Sequence, residues 1–356
     1  PSPPPRPPRS RERTPARPRT PSGPRPGRCR TSLSEGAAFT GGQVVDGPVL
    51  GSLLADLIDQ PDDYLALLSV GLEALSEPGY LEMVTRACPQ TPARYLVRGA
   101  LSEAMSKPVK AALREGSTIS ALQLAHTLAA ADHRDLRLYA HDPLRRALAR
   151  DPEMSWQIMR RLGRAAEDWI ATDSLADLWA RGILAEDFRW AELEQLLYSQ
   201  QTYERRLVPA TLATLPHRVP KTQRDGLRPD AVQRALELVR QLMGDAEVMV
   251  QKALSWAIRE WTPVDPEATA TFLQDETTIA AEQRDGARAW VIRDSLSKQP
   301  PPLAADLKTR LEGIRRSAKA PSTSFASSQA AAFAEGLTAS NDAVAAQGDR
   351  YSWSLA

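Results

Sequence analysis

Trp169 and Asp173 lie four residues apart, and a second indole, Trp256, and two cations, Arg206 and Lys252, recur at matching places further along the chain. The match comes from overlaying three segments: residues 168–178 (DWIATDSLADL), 205–215 (RRLVPATLATL) and 251–261 (QKALSWAIREW), at successive offsets of 37 and 46 residues. In this register one column holds Trp169, Arg206 and Lys252, and the column four residues on holds Asp173, Ala210 and Trp256. Residues four apart share a helix face. Three stacked helices would therefore present one carboxylate among two cations and two indoles.

Such a face suits the breaking of a nucleotide's glycosidic bond. The sugar develops oxocarbenium character as the base departs, so a fixed carboxylate beside C1′ lowers the barrier electrostatically and can help orient water. Indole faces attract positive charge and pack on deoxyribose, while Arg206 and Lys252 would hold phosphates, fixing register without reading bases. A base made cationic by alkylation at N3 or N7 is a good leaving group, so no general acid is required. Taken singly, each residue has a plainer reading: a core Trp, a solvated Asp, an exposed Arg or Lys. The joint pattern is what raises the functional one.

The same overlay supplies the elements that would carry these groups. Ala171, Leu175 and Leu178 match Val208, Leu212 and Leu215, then Leu254, Ile258 and Trp261. That i, i+4, i+7 spacing is the buried stripe of a helix. Repeat spacings in this range fit HEAT-like arrays, in which each unit is stabilised by packing on its neighbours. Strand-like alternation is scarce, and Gly and Pro fall at breaks between helical segments. The expected fold is all-α, a HEAT-like helical solenoid with a concave DNA-binding face. Residues 120–150 read as two helices of an earlier repeat, and residues 284–299 (RDGARAWVIRDSLSKQ) fit the overlay loosely, as a capping repeat would.

Composition narrows the class further. The chain is 42% hydrophobic and 25% charged, as in soluble globular proteins, and no apolar run approaches a membrane span. Cys29 and Cys88 are too few for a disulfide framework, which favours a reducing, cytoplasmic home. The four histidines, His126, His133, His141 and His217, show no metal-ligand spacing, so neither metal nor organic cofactor is expected. Residues 1–30 hold nine Arg against one Glu, leaving 36 basic and 43 acidic residues in the rest. That acidic body argues against a surface basic throughout, though not against a local basic groove.

Residues 1–45, rich in Pro, Arg and Ser, are expected to be a disordered tail: a merely solvated segment, or a polycationic arm that tethers the body to phosphates. The globular part is expected over 46–316. Residues 317–356, rich in Ala and Ser, lack a committed apolar face and read as a second disordered tail with at most one marginal helix. The loop 216–229, with Arg218, Lys221, Arg224 and Arg228, could touch a phosphate backbone from one edge.

These residues resemble the AlkD-type DNA alkylation repair glycosylases built from HEAT-like repeats. The resemblance runs over roughly residues 150–300. It is carried most specifically by VQKALSWAIREWTPVDPEATATFLQ (250–274), supported by DWIATDSL (168–175) and TYERRLVPATL (202–212). It implies that Asp173 is the catalytic carboxylate, that Trp169 and Trp256 flank the lesion-bearing deoxyribose, and that Arg206 binds the backbone near the lesion. Lys252 and Arg259 join as phosphate contacts on the third helix. The implied reaction is hydrolysis of 3-methyladenine and 7-methylguanine nucleotides in double-stranded DNA, by a monomer, without drawing the base into a pocket. Tyr203 stands where the family usually has Trp, and Arg205 offers a second candidate for the phosphate-binding Arg. No Lys is placed beside Asp173, so no Schiff-base lyase step is expected. The competing reading is a non-catalytic HEAT-like module that binds DNA structures or a protein partner, since repeat scaffolds are most often binding surfaces.

Overall fold

Helix starts are written into the sequence by Asp residues. Asp151, Asp168, Asp265 and Asp285 each accept a hydrogen bond from the backbone N–H three residues on, at 2.9–3.0 Å. Two of them precede a Pro in the first turn, where its missing N–H costs nothing. A cap of this kind contributes about 1 kcal/mol to its helix.

The computed structural model describes residues 38–40, 43–87, 94–220 and 230–348, together with Pro89, Thr222, Gln223 and Leu227. The fold is an all-α helical repeat in which the helices form two packed rows. The first row runs through α4 (Gly99–Glu115), α7 (His141–Ala147), α9 (Trp169–Ala185), α11 (Thr202–Thr214), α13 (Val248–Trp261) and α15 (Gly286–Ser295), each packed on the next. Behind it lie α2 (Pro61–Leu75), α5 (Thr118–Ala129), α8 (Pro152–Arg164), α12 (Asp230–Leu242), α14 (Pro266–Gln283) and α16 (Pro301–Arg310). Within this second row α2, α5 and α8 pack in sequence, as do α12, α14 and α16. The short α10 (Arg189–Gln195) and the 3-10 turn after it fill the space between, and α1 (Gly47–Ala55) packs on α4.

The three overlaid segments become α9, α11 and α13, side by side. Leu175, Leu178, Val208, Leu212, Leu215, Leu254, Ile258 and Trp261 are all buried; Ala171 alone of the stripe is half-exposed. α11 is the central member, buried from Arg205 through Thr214. Trp261 of α13 donates its indole N–H to the Leu212 carbonyl at 3.0 Å, and Trp156 of α8 packs on Trp179 of α9 with ring centroids 4.4 Å apart. Burying a side chain of this size contributes about 1.5–3 kcal/mol each, so the register of the three helices is set by their apolar stripes.

Parts of both segments read as tails carry secondary structure where they are described. Ala38–Thr40 pairs antiparallel with Gln43–Val45, and both strands contact α2; residues 1–37 lie outside the described residues. At the other end, α17 (Phe325–Gly348) docks on α12 and on the turn after α10. Polar groups do much of the seating. Gly244, with a φ of 90° and no Cβ, lets the Thr323 hydroxyl approach closely. The Thr323 N–H donates to the Gly244 carbonyl at 3.0 Å, the Thr323 hydroxyl donates to Asp285, and the Ser327 hydroxyl donates to Asp245 at 3.1 Å. Ala326 and Ala330 complete the junction as buried small residues. An Ala/Ser segment thus docks through hydroxyls, which an apolar periodicity does not reveal. Among the described residues no helix is long and apolar enough to cross a membrane.

Candidate active site

α9 begins at a fixed point. Asp168 caps it by accepting from the Ala171 N–H at 2.9 Å, and its other oxygen accepts from Arg134 at 2.5 Å. Arg134 also donates to Asp135 at 2.9 Å, whose second oxygen accepts the backbone N–H groups of Arg94 and Tyr95, each at 2.8 Å. Arg134, Asp135 and Asp168 are all buried. This chain of charges, which the spacing of the residues does not announce, ties the first turn of α9 to the preceding repeat. Its one sequence signal is an Asp immediately before an apolar-periodic run, the mark of a helix N-terminus.

One turn into α9, Asp173 meets Arg206 of α11. Arg206 donates Nε to Oδ1 at 3.0 Å and Nη2 to Oδ2 at 2.7 Å, a bidentate pair, while its Nη1 donates to the Met249 carbonyl at the start of α13. One guanidinium therefore links all three overlaid helices. Its side chain is only 6% exposed, against 21% for Asp173. Arg206 is in this respect a clamp on the carboxylate rather than an open phosphate ligand.

Burial pushes the Asp173 carboxyl above its ordinary range; the Arg206 hydrogen bonds and charge oppose that rise, and the charge of Asp168 adds to it. The folded protein thus holds the Asp173 proton more tightly than the unfolded chain does. Stability from this group is present at low pH and is lost as pH rises through the raised pKa. Glu276 and Asp142 are likewise raised chiefly by burial, so the shift alone does not single out Asp173. Its position does: half-buried, one helical turn from Trp169, which is also half-buried.

The remaining expected site residues divide. Trp256 is half-buried against the core, and Lys252, one turn before it, is exposed. Tyr203 is half-buried at the start of α11. Arg259 pairs with Asp294 of α15 at 2.7 Å and also donates to the Asp294 backbone carbonyl at 2.8 Å. Asp294, absent from the residues expected from spacing, also accepts from the Ser255 hydroxyl at 2.6 Å. Although burial alone would raise it, Ser255 and Arg259 hold its carboxyl below the usual range. Arg205 must be corrected: it turns away from Asp173 and is buried, donating to Asp245 at 2.8 Å and to the carbonyls of Ser199 and Gln200. Adjacent helix residues point about 100° apart, so only one of the two arginines could face α9. The chain matches the family model described as DNA alkylation repair enzyme over residues 71–298. It belongs to the DNA alkylation repair enzyme family. Neither a curated protein nor a solved structure matches it significantly. In this alkylation repair protein the matched span runs from α2 to the turn after α15, and so contains the whole of the row that carries Trp169, Asp173, Arg206 and Trp256.

Proposed function

We propose that the protein is a monofunctional DNA glycosylase that hydrolyses the N-glycosidic bond of cationic alkylpurines, 3-methyladenine and 7-methylguanine, in duplex DNA without extruding the base. The observation that carries this reading is the Asp173 carboxylate, fixed by two hydrogen bonds from Arg206 and still partly open to solvent beside Trp169. Each carboxylate oxygen has two lone pairs, so one N–H per oxygen leaves the outer directions of Asp173 available to a developing cation or a water. As the bond from C1′ to the base nitrogen breaks, its electron pair neutralises the cationic base and positive charge moves to the sugar, where a held carboxylate stabilises it. Water then adds to C1′, and its surplus proton passes to solvent. Trp169 and Trp256 flank the deoxyribose, Lys252 and Tyr203 meet the backbone, and Arg206 positions Asp173. The chemistry of this route calls on no metal or organic cofactor.

The test is incubation with a duplex carrying one 7-methylguanine and measurement of free base above the spontaneous rate. Release supports the reading. Absence of release with duplex binding retained favours the non-catalytic DNA-binding module instead.

The Arg-rich N-terminus bears on affinity. Because Ala38–Thr40 and Gln43–Val45 form the strand pair on α2, a clean truncation removes residues 1–35 only. If the arm engages phosphates, this truncation weakens duplex binding and flattens the dependence of log K on log salt. An unchanged affinity and slope would make the arm a solvated tail.

A further inference from the structure

Two turns along α9 from Trp169, the row carries another carboxylate that the proposed chemistry does not use. Asp177 lies one turn beyond Asp173, on the same face, and gathers three guanidinium groups from three parts of the chain. Arg145 of α7 approaches at 2.9 Å, Arg181 of α9 at 3.1 Å and Arg218, just after α11, at 2.5 Å. Asp177 is 14% exposed, whereas the arginines are 49%, 38% and 34% exposed. The acid sits inside and its cations face outward, with a formal excess of positive charge at the surface.

The arrangement repeats along the row. In the register that aligns the three helices, Asp177 corresponds to Glu260, and Arg181 corresponds to Arg218. Glu260 also gathers basic side chains from neighbouring turns, the Lys298 amine at 3.0 Å and the His217 imidazole at 2.9 Å. On the other side, Arg145 lines a groove between α4 and α7 whose five cations, the exposed Lys107 and Arg114 among them, outnumber its two acids, Glu103 and Asp142. Acids paired with outward-facing basic groups therefore recur at the level one helical turn beyond that of Asp173, at Asp177 and again at Glu260. Arg145 lies in the last turn of α7, where the helix dipole favours a cation, and taken alone needs no other reason. Three on one carboxylate, drawn from α7, α9 and the turn after α11, exceed what the dipole or the pairing of Asp177 requires.

We propose that the Asp177 cluster of Arg145, Arg181 and Arg218 is a phosphodiester-binding subsite for the DNA backbone, in which Asp177 offsets only part of the charge of the three guanidinium groups. This rests on the duplex DNA partner of the proposed function and adds to it where the strand lies. Four residues of helix advance about 6 Å, and each strand of B-DNA carries one phosphate per roughly 3.4 Å of axis. A strand running along α9 would place its phosphates at the cluster on the order of two nucleotides from the sugar at Asp173. The excess charge fits the role: the subsite stays cationic after pairing, and Arg is the residue suited to bidentate recognition of phosphate.

The test uses the full chain and an unmodified duplex, with affinity measured by fluorescence anisotropy over a range of salt. The double variant Arg145→Gln, Arg181→Gln is expected to bind about tenfold or more weakly and to lower the salt slope by about one for each phosphate it no longer neutralises. Asp177→Asn removes the negative charge that the three arginines share and is expected to bind several-fold more tightly than wild type. Wild-type affinity and slope in both variants would overturn the proposal and reduce the cluster to a staple between helices. If the double variant fails to fold by thermal melting, Asp177→Asn decides: tighter binding supports the subsite, unchanged or weaker binding overturns it. Base release by the wild type is scored separately. Cluster-dependent binding without release would remove the glycosylase reading and leave the subsite standing, and release with cluster-independent binding would do the reverse.

Discussion

Asp173→Asn is expected to slow release of 7-methylguanine by about 100–1,000-fold, the loss that follows removal of one preorganised electrostatic stabiliser. Asn has the same outline but no charge, and it turns an NH2 group toward Arg206, which offers only donors. One of the two hydrogen bonds is lost. A hydrogen bond to a charged group contributes about 1.5–3 kcal/mol, so the variant's melting temperature must be measured beside its rate. Duplex binding should be retained or tightened, because a carboxylate facing phosphates repels them. The wild type carries a second signature. Since burial holds the Asp173 pKa above the ordinary range, single-turnover release should decline on acidification at a higher pH than an exposed carboxylate would give, and the Asn variant should lack that limb. A variant rate close to wild type, with the same acid limb, would take Asp173 out of the chemistry.

The residues that were legible in the sequence are those whose neighbours are local. Leu175, Leu212 and Ile258 announce a buried stripe because the helical period alone decides which face they share. The Trp169 and Asp173 pair is legible for the same reason. What could not be read are partners distant in sequence. Nothing near Arg205 and Arg206 says that Asp245 captures the first and Asp173 the second, yet that choice makes one a strut of the core and the other part of the site. Arg259 likewise reads as an exposed cation until Asp294 of α15 comes alongside. α17 was hidden for another reason: its docking rests on the Thr323 and Ser327 hydroxyls meeting Asp285 and Asp245. Hydroxyl pairings leave no apolar period to detect. The charge clusters on Asp168 and Asp177 show the same limit, since each assembles from segments that only the fold brings together.

Arg206→Lys is expected to reduce turnover by about 10–100-fold while leaving the salt dependence of duplex binding as it is in the wild type. A lysine amine is a compact charge on a flexible stem and cannot reproduce two parallel hydrogen bonds to Asp173 together with one to the Met249 carbonyl. Asp173 would be left free to shift, and a displacement of about 1 Å at a reacting centre can cost about 100-fold. The binding slope separates this role from phosphate binding. A guanidinium 6% exposed and committed to Asp173 releases no counterion when DNA arrives, so its loss should not change the slope, whereas loss of a phosphate ligand lowers it by about 0.9. Arg206→Ala extends the argument to stability. It leaves the largely buried Asp173 without its partner, and breaking a buried pair costs about 3–5 kcal/mol; the residual exposure of Asp173 places this case near the lower end. Because the same side chain also holds the start of α13, the lost stability should register as a fall of several degrees in melting temperature. A slope lowered by about one unit with turnover preserved at saturating DNA would reverse the assignment. Arg206 would then be a backbone ligand, and Asp173 would hold its position without it.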